Sequence, residues 1–269
     1  MEADTLTAEA RAYGTALINL GHAFIHNQAF LLEPSGFLMS MNLQETCMKI
    51  GILGSGRMGS HLGTMFAKVG HEVSFSYSRS QQKIADLAAS VGNNARASTP
   101  AEAAHDADLL LLAVHWLQVP DVLSQVGSLK GKIVMSCCNP LNAEDTELVI
   151  GHTMSGAETL SQMIPDAHVV AAFQATPSEV MFDVFAARGE ALRPSLIFCG
   201  DDAASKAQAA NLISQVGFDP VDAGALKNAR YIEPFGMLSG VLAYETDQGP
   251  DWAYRFGRFD QLFKGRSRA

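Results

Sequence analysis

Three glycines that follow a short apolar run have the spacing of a phosphate-binding turn. Gly54, Gly56 and Gly59 fit the pattern G-x-G-x-x-G. In this pattern the first glycine permits a tight turn, the second lets the backbone approach a pyrophosphate, and the third lets a helix pack closely on a strand. Backbone amides at a helix start attract phosphate, so the chemistry indicated is the binding of a dinucleotide. The positions among the glycines are filled by Ser55, Arg57 and Met58.

The elements around the glycines decide between a dinucleotide site and an ordinary turn. A strand precedes them, with Ile50, Ile52 and Leu53 as its apolar residues. An amphipathic helix follows them, and a second strand spans residues 71–77. This order of strand, turn, helix and strand is the context that the fingerprint requires, so we favour the dinucleotide site. The apolar face of the helix comprises Met58, Leu62, Met65, Phe66 and Val69.

The end of the second strand indicates which dinucleotide binds. A site for NAD usually has Asp or Glu there to bond the ribose 2′-hydroxyl, whereas this chain has Ser78, Arg79 and Ser80, with Lys83 one helical turn later. A guanidinium can pair with a 2′-phosphate through two hydrogen bonds, and hydroxyls and an ammonium add to it. The pattern predicts a preference for NADP(H). Alternatively, Ser80 caps the next helix and Arg79 is solvated, and both interpretations can hold together.

Composition limits the class of protein. The chain has 269 residues, 48% of them hydrophobic, with a net charge of -9 and a pI of about 5.3. An acidic surface argues against partners such as nucleic acid or an acidic membrane, and no apolar run reaches the roughly 18 residues of a membrane span. The four cysteines form neither zinc-like pairs nor a disulfide framework, so we expect no metal site and a reducing, cytoplasmic location.

Strands and helices alternate along most of the chain. This pattern predicts an α/β fold of the Rossmann type, with a doubly wound, mostly parallel sheet and C-terminal helices. We divide the chain into an N-terminal extension of uncertain order (1–47), an NADP-binding domain (48–172) and a C-terminal region on the acceptor side (173–269). A helix is possible over residues 8–32. Capping patterns begin further helices near Thr99 and Ser155, and Asp201 and Asp202 form a charge pair at another helix start.

The sequence resembles the family of NADPH-dependent coenzyme F420 reductases, from Met48 to about Arg258. The resemblance rests on the glycine fingerprint, on Ser78-Arg79 with Lys83, on residues 113–116 and 139–141, and on the more specific stretches 199–202 and 222–230. It implies that Ser55, Arg57 and Met58 line the pyrophosphate and that Ser78, Arg79 and Lys83 hold the 2′-phosphate. It further implies a nicotinamide ribose beside Val114, His115 and Trp116, and a nicotinamide near Asn139 and Pro140. It also implies that a deazaflavin or related acceptor stacks against the C-terminal helices.

Two positions depart from the family pattern on the acceptor side. His115 stands where relatives often have Pro, and Gln174 stands where they often have Asn or His. The resemblance therefore leaves the acceptor open between coenzyme F420 and a flavin. Hydride transfer between two stacked rings needs no obligate acid or base, so His115 is only a candidate proton donor, and a satisfied polar group is the alternative. Trp116 either walls the nicotinamide pocket or packs in the core, and Cys137 and Cys138 are expected to be ordinary thiols.

Two other functions remain open. The first is a reductase of the imine or β-hydroxyacid dehydrogenase type, in which Lys227 would be catalytic. The second is a non-enzymatic redox sensor that binds NADP. An apolar stripe on the last helix predicts a homodimer, and its residues are Tyr231, Ile232, Phe235, Leu238 and Leu242.

Overall fold

The computed structural model describes residues 29–32, 38–41 and 47–258, in two separate units, 1–46 and 47–269. In the first unit, β1 (Ala29–Leu32) and β2 (Leu38–Met41) form an antiparallel hairpin. The possible helix over residues 8–32 lies outside the described residues except for its last four, which form β1. Pairing with β2 satisfies the backbone of these four residues across the hairpin rather than within a helix.

An eight-stranded sheet forms the centre of the second unit. Its spatial order is β10-β9-β8-β7-β6-β3-β4-β5, and every neighbouring pair is parallel except β8 and β9. The strands are β3 (Lys49–Leu53), β4 (Glu72–Ser76), β5 (Ala95–Ala97), β6 (Leu109–Leu112), β7 (Ile133–Ser136), β8 (His168–Ala172), β9 (Ser195–Gly200) and β10 (Asp219–Asp222). The predicted α/β, doubly wound and mostly parallel sheet is confirmed.

Helices cover both faces of this sheet. The central strands are buried on both sides, and their side chains divide into two hydrophobic clusters, one under each helical layer. Continuous apolar runs such as Leu109–Leu112 therefore form buried central strands rather than exposed edge strands. The helices are α1 (Arg57–Lys68), α2 (Gln81–Val91), α3 (Pro100–Asp106), α4 (Val119–Gln125), α5 (Gly156–Met163), α6 (Met181–Ala186), α7 (Ala203–Gln215) and α8 (Ala229–Tyr244). None of the helices described is long and apolar enough to cross a membrane.

Side-chain caps begin four of the helices described. Ser80, Thr99, Ser155 and Asp202 each accept a backbone hydrogen bond from the first turn that follows, and Thr99 forms a full capping box with Glu102. Asp201 has a different role, because its carboxylate accepts from the amide of Leu226.

Helix α6 and the reversal of β9 were not predicted. Within residues 173–258, β9 and β10 continue the sheet.

Helix α8 is fastened to the start of α5 by two charged side chains. The buried carboxylate of Glu233 accepts from the amides of Gly156 and Ala157, both at 2.9 Å. Arg230 donates two hydrogen bonds to Glu158. The predicted stripe of α8 is divided, because Ile232 is buried in the core, whereas Tyr231 and Leu238 remain 74% and 54% exposed. The homodimer expected through this helix stays a prediction.

Burial of Glu233 predicts a pH-dependent stability. Desolvation raises its pKa to about 7 from the ordinary value of 4.5, against the lowering effect of the two amides. Because the folded protein then binds this proton more tightly than the unfolded chain, the free energy of unfolding falls as pH rises from about 5 to 7. We expect Glu233→Gln to remove a pH dependence on the order of 1–3 kcal/mol, measured by urea unfolding at pH 5 and 8. The exposed control Glu190→Gln keeps the wild-type dependence, and an unchanged dependence in Glu233→Gln would contradict this explanation.

Candidate dinucleotide and acceptor site

The candidate site lies at the carboxyl edge of the parallel strands. The chain leaves β3 towards β4 and β5 on one side and returns to β6 on the other. The loops after β3 and β6 therefore diverge at this point, and open α/β sheets bind ligands in the crevice that such a switch creates. The loops after β4, β7 and β8 reach the same edge and supply the other candidate residues.

The three glycines have three different environments. Gly54 has a positive φ of 113°, and a Cβ there would lie 2.4 Å from the carbonyl oxygen of Ala113. A Cβ on Gly59 would lie 1.9 Å from the carbonyl oxygen of Gly54. Gly56 has no atom within 4 Å of the position of a Cβ. The outer two glycines thus serve packing of the turn and helix, whereas the middle one faces open space, as an approaching pyrophosphate requires.

Helix α1 begins without a side-chain cap and without an acidic residue in its first turn. The helices that begin at Ser80, Thr99, Ser155 and Asp202 all have such caps. The first amides of a helix have no partner within the helix and carry its positive end. The start of α1 therefore offers donors to an anion directly beside the open space over Gly56.

The predicted 2′-phosphate residues are grouped after β4. Tyr77 has a left-handed φ of 58° and turns the chain. Ser78 and Ser80 accept from the amides of Ser80 and Lys83, which leaves their hydroxyl hydrogens able to donate elsewhere. Within residues 47–258, no ion pair engages the side chain of Arg79 or Lys83, and both are exposed. These four side chains are suited to bind a phosphate at the N-terminus of α2.

A cavity of about 720 Å³ begins at Gly56 and extends over β6, β7 and β8 to α8. Of the predicted residues, Gly56, Arg57, Met58, Val114, His115 and Asn139 line it. Its opposite wall is formed by the middle and end of α8, from Gly236 to Glu245. Trp116 and Pro140 do not line it. Trp116 is 9% exposed and packs in the core, and Pro140 packs against Gly156 at the start of α5.

Both ring nitrogens of His115 have partners. Nδ1 accepts from the amide of Leu117 at 3.2 Å, which identifies Nε2 as the protonated nitrogen. Nε2 then donates towards the carbonyl oxygen of Asn142 at 3.1 Å and Oδ1 of Asp145 at 2.9 Å. His115 therefore caps a short 3₁₀ turn and fastens the loop over residues 142–145, and neither nitrogen is free for proton transfer to a ligand.

The neighbouring cysteines are protonated thiols. Burial raises the pKa of Cys137 well above its usual range and that of Cys138 to about 11. The sulfur of Cys138 donates to the carbonyl oxygen of Val114 at 3.1 Å. These thiols pack the strand ends and do not act as nucleophiles at neutral pH. Within the described part of the chain, no three His, Cys, Asp or Glu side chains gather as a metal-binding group.

Two amide side chains leave an oxygen without a partner at the floor of the cavity. Nδ2 of Asn139 donates to the backbone carbonyl of Gln174 at 3.0 Å, and Nε2 of Gln174 donates to the carbonyl of Ser136 at 3.0 Å. These bonds fix both amides, and Oδ1 of Asn139 and Oε1 of Gln174 are buried with no partner in the described residues. Leaving a buried acceptor unpaired costs about 1–3 kcal/mol, so each oxygen has the capacity to accept a further hydrogen bond.

Arg57 is engaged across the cavity. Its guanidinium pairs with Glu179 at 2.8 Å, and the other carboxylate oxygen of Glu179 accepts from the hydroxyl of Tyr244 at 2.8 Å. The bridge joins the start of α1 to the end of α8. Sequence reasoning placed Arg57 near the pyrophosphate but missed Glu179 and Tyr244, because no local pattern pairs residues so far apart.

Lys227 lies away from the cavity. It belongs to a 3₁₀ turn after β10, is exposed, and does not line the cavity. The turn is held by Asp201 through the amide of Leu226. This position offers no contact between Lys227 and a ligand that occupies the cavity.

Comparison with known proteins finds similarity to one family over part of this region. Residues 49–140 match the family described as NADP oxidoreductase, coenzyme F420-dependent. The metalloreductase STEAP3 of Rattus norvegicus is 30% identical over 185 residues, which cover 69% of this chain and 36% of that protein. The matched region of this chain thus spans about a third of the length of that curated relative.

Two solved structures share the fold. A candidate F420-dependent NADP reductase from Arthrobacter sp. FB24 superposes with a TM-score of 0.69 at 24% identity, over 78% of this chain and 100% of the other. A reductive aminase from Aspergillus terreus, bound to NADPH and ethyl levulinate, superposes with a TM-score of 0.55 at 20% identity, over 73% and 62%. Both likenesses concern the fold.

The glycine environments separate binding from folding. We expect Gly56→Ala to keep the thermal stability of the wild type, because a methyl there meets open space, and to weaken NADPH binding by about tenfold or more. We expect Gly59→Ala to lower the melting temperature, because its methyl collides with the turn. Calorimetric titration and thermal melts of the two variants check this, and equal NADPH affinity in wild type and Gly56→Ala would contradict the placement of the pyrophosphate.

Proposed function

We propose that the protein transfers hydride between NADPH and a flavin-like ring, because residues 49–140 match the family described as NADP oxidoreductase, coenzyme F420-dependent. NADPH gives up two electrons and one proton as hydride, NADP⁺ remains, and the acceptor ring takes a further proton from water. The protein would bind the two rings face to face and exclude water from between them.

The structure offers NADPH a continuous set of partners. The uncapped start of α1 supports the pyrophosphate, and Ser78, Arg79, Ser80 and Lys83 support the 2′-phosphate. With its phosphates at β3 and β4, the dinucleotide would extend its nicotinamide in the opposite direction along the sheet, over β6 and β7. Val114 and Asn139 line the cavity there. The unpartnered Oδ1 of Asn139 can accept from the carboxamide of that ring.

One observation carries the choice of acceptor: three side chains of the cavity that could donate a proton are already engaged or are poor acids. His115 uses both nitrogens, desolvation raises the pKa of the Cys137 thiol well above its usual range, and burial with a bond to Glu179 raises the pKa of Tyr244 to about 12. Reduction of a carbonyl needs an acid for the new alkoxide. A flavin or deazaflavin ring takes its proton from solvent and needs none, so it fits this cavity better.

A reductase of the imine or β-hydroxyacid type is the alternative. It would use Lys227, which is exposed outside the cavity. A third candidate acceptor is ferric iron in a chelate, since the relative from Rattus norvegicus is named a metalloreductase.

We expect NADPH oxidation to require a flavin-type acceptor and to survive Lys227→Ala. Stopped-flow absorbance at saturating NADPH would compare riboflavin, FMN, F420, ferric chelates and small cyclic imines. The wild type and Lys227→Ala should reduce at least one flavin or deazaflavin at rates within about twofold of each other, since a solvated lysine is worth little. Turnover of imines alone, abolished by Lys227→Ala, would contradict the proposal, and so would tight NADPH binding without oxidation by any acceptor.

Arg79 is expected to set the cofactor preference. Charge-assisted hydrogen bonds contribute about 1.5–3 kcal/mol each, so Arg79→Glu should weaken NADPH binding by roughly ten- to hundredfold and leave NADH binding equal or stronger. The dissociation constants of both nucleotides, measured by fluorescence titration, check this. Arg188→Glu, on an arginine that stacks on Phe185, is the matched control and keeps the wild-type ratio. An unchanged ratio in Arg79→Glu would contradict the assigned 2′-phosphate site.

A further inference from the structure

The acceptor half of the cavity presents hydrogen-bond acceptors and negative charge. Gln174 is 6% exposed, and its Oε1 has no partner in the described residues. Glu144 and Glu245 line the same cavity and are exposed at its mouth. Arg57, the cavity-lining arginine, is already paired with Glu179. A ligand in this half therefore meets groups that attract N–H donors and repel anions.

The strand order separates Gln174 from the cofactor. Asn139 follows β7, whereas Gln174 follows β8, one strand further from the switch point at β3 and β6. Neighbouring strands lie about 4.8 Å apart, so a nicotinamide over β6 and β7 leaves the position over β8 for the acceptor. The left-handed φ of 70° at Phe173 turns the chain at this strand end, and Phe173 itself is buried against Phe218.

The two carboxylates come from opposite sides of the mouth. Glu144 lies on the loop that His115 fastens through Asn142 and Asp145. Glu245 is the C-cap residue of α8. An acceptor with a phosphate on its side chain would bring two negative charges near both, with no lysine or unpaired arginine of the described residues lining the cavity to compensate.

We propose that the acceptor is an uncharged isoalloxazine, of the kind found in riboflavin, whose ring N–H donates to Oε1 of Gln174 and whose side chain bears no phosphate or carboxylate. This inference rests on the proposed function and narrows its acceptor. It assigns Gln174 to ring recognition and Glu144 and Glu245 to the exclusion of anionic side chains.

The charge of the acceptor provides the first test. At low ionic strength we expect kcat/KM for riboflavin to exceed that for FMN by about tenfold, from two phosphate charges near two carboxylates. The double variant Glu144→Gln/Glu245→Gln should bring the ratio of the two values towards one. The double variant Glu72→Gln/Glu190→Gln, with the same net charge change at exposed positions away from the cavity, should keep the wild-type ratio.

Methylation of the ring provides the second test. We expect the wild type to reduce riboflavin about tenfold more efficiently than N3-methylriboflavin, because the methyl removes the N–H that pairs with Gln174. Gln174→Leu should reduce both flavins with equal efficiency and bind NADPH as the wild type does. The comparison of two flavins in the unaltered protein remains informative even if Gln174→Leu does not fold.

The outcomes separate this inference from the function on which it rests. Riboflavin and FMN reduced with equal efficiency, or N3-methylriboflavin reduced as well as riboflavin, would overturn the inference and leave hydride transfer to a flavin in place. No reduction of any flavin or deazaflavin by a protein that binds NADPH would overturn the proposed function itself.

Discussion

The close approach of α1 to β3 is the constraint on which the site depends. A Cβ on Gly59 would sit 1.9 Å from the carbonyl oxygen of Gly54, and one on Gly54 would meet the backbone of Ala113 at 2.4 Å. Only glycine fits at both positions. Since neither residue has a side chain, the start of α1 can lie directly over the strand ends. Its uncapped amides then face the open space beside Gly56. The distance of each strand end from the start of α1 determines which part of a bound ligand the residues after β4, β6, β7 and β8 can contact.

Most polar side chains around the cavity already form hydrogen bonds with other groups of the protein. Few of them are therefore left to bind a ligand. His115 secures a loop, Arg57 and Tyr244 bind Glu179 from two helices, and Cys138 bonds the backbone of Val114. The groups that remain include the amides of α1, the basic and hydroxyl groups after β4, the carboxylates of Glu144 and Glu245, and the oxygens of Asn139 and Gln174. They form a row with donors for phosphate at one end and acceptors for ring N–H groups at the other. This polarity agrees with a dinucleotide that carries its phosphates at β3 and its nicotinamide at β7.

The sequence was sufficient for the parts of the structure that depend on local patterns. The glycine spacing predicted the turn, apolar runs predicted the buried strands, and Ser80, Thr99 and Ser155 cap helices as expected. It was not sufficient where distant residues meet. The reversal of β9, the bridge from Arg57 to Glu179 and the pairing of His115 with Asp145 each join segments that no short pattern connects. Trp116 illustrates this limit of the sequence. It follows the carboxyl end of β6, which is compatible both with a wall of the pocket and with the core, and in the structure it packs in the core.

The central claim is that one dinucleotide lies along this edge with its pyrophosphate over Gly56 and its 2′-phosphate beside Arg79. A crystal structure of the wild-type protein with NADP⁺ tests it most directly. The account predicts phosphate oxygens within hydrogen-bond distance of the backbone amides at the start of α1, and the guanidinium of Arg79 paired with the 2′-phosphate. A nucleotide bound elsewhere on the protein, or bound along this edge with its 2′-phosphate away from Arg79, would contradict the account.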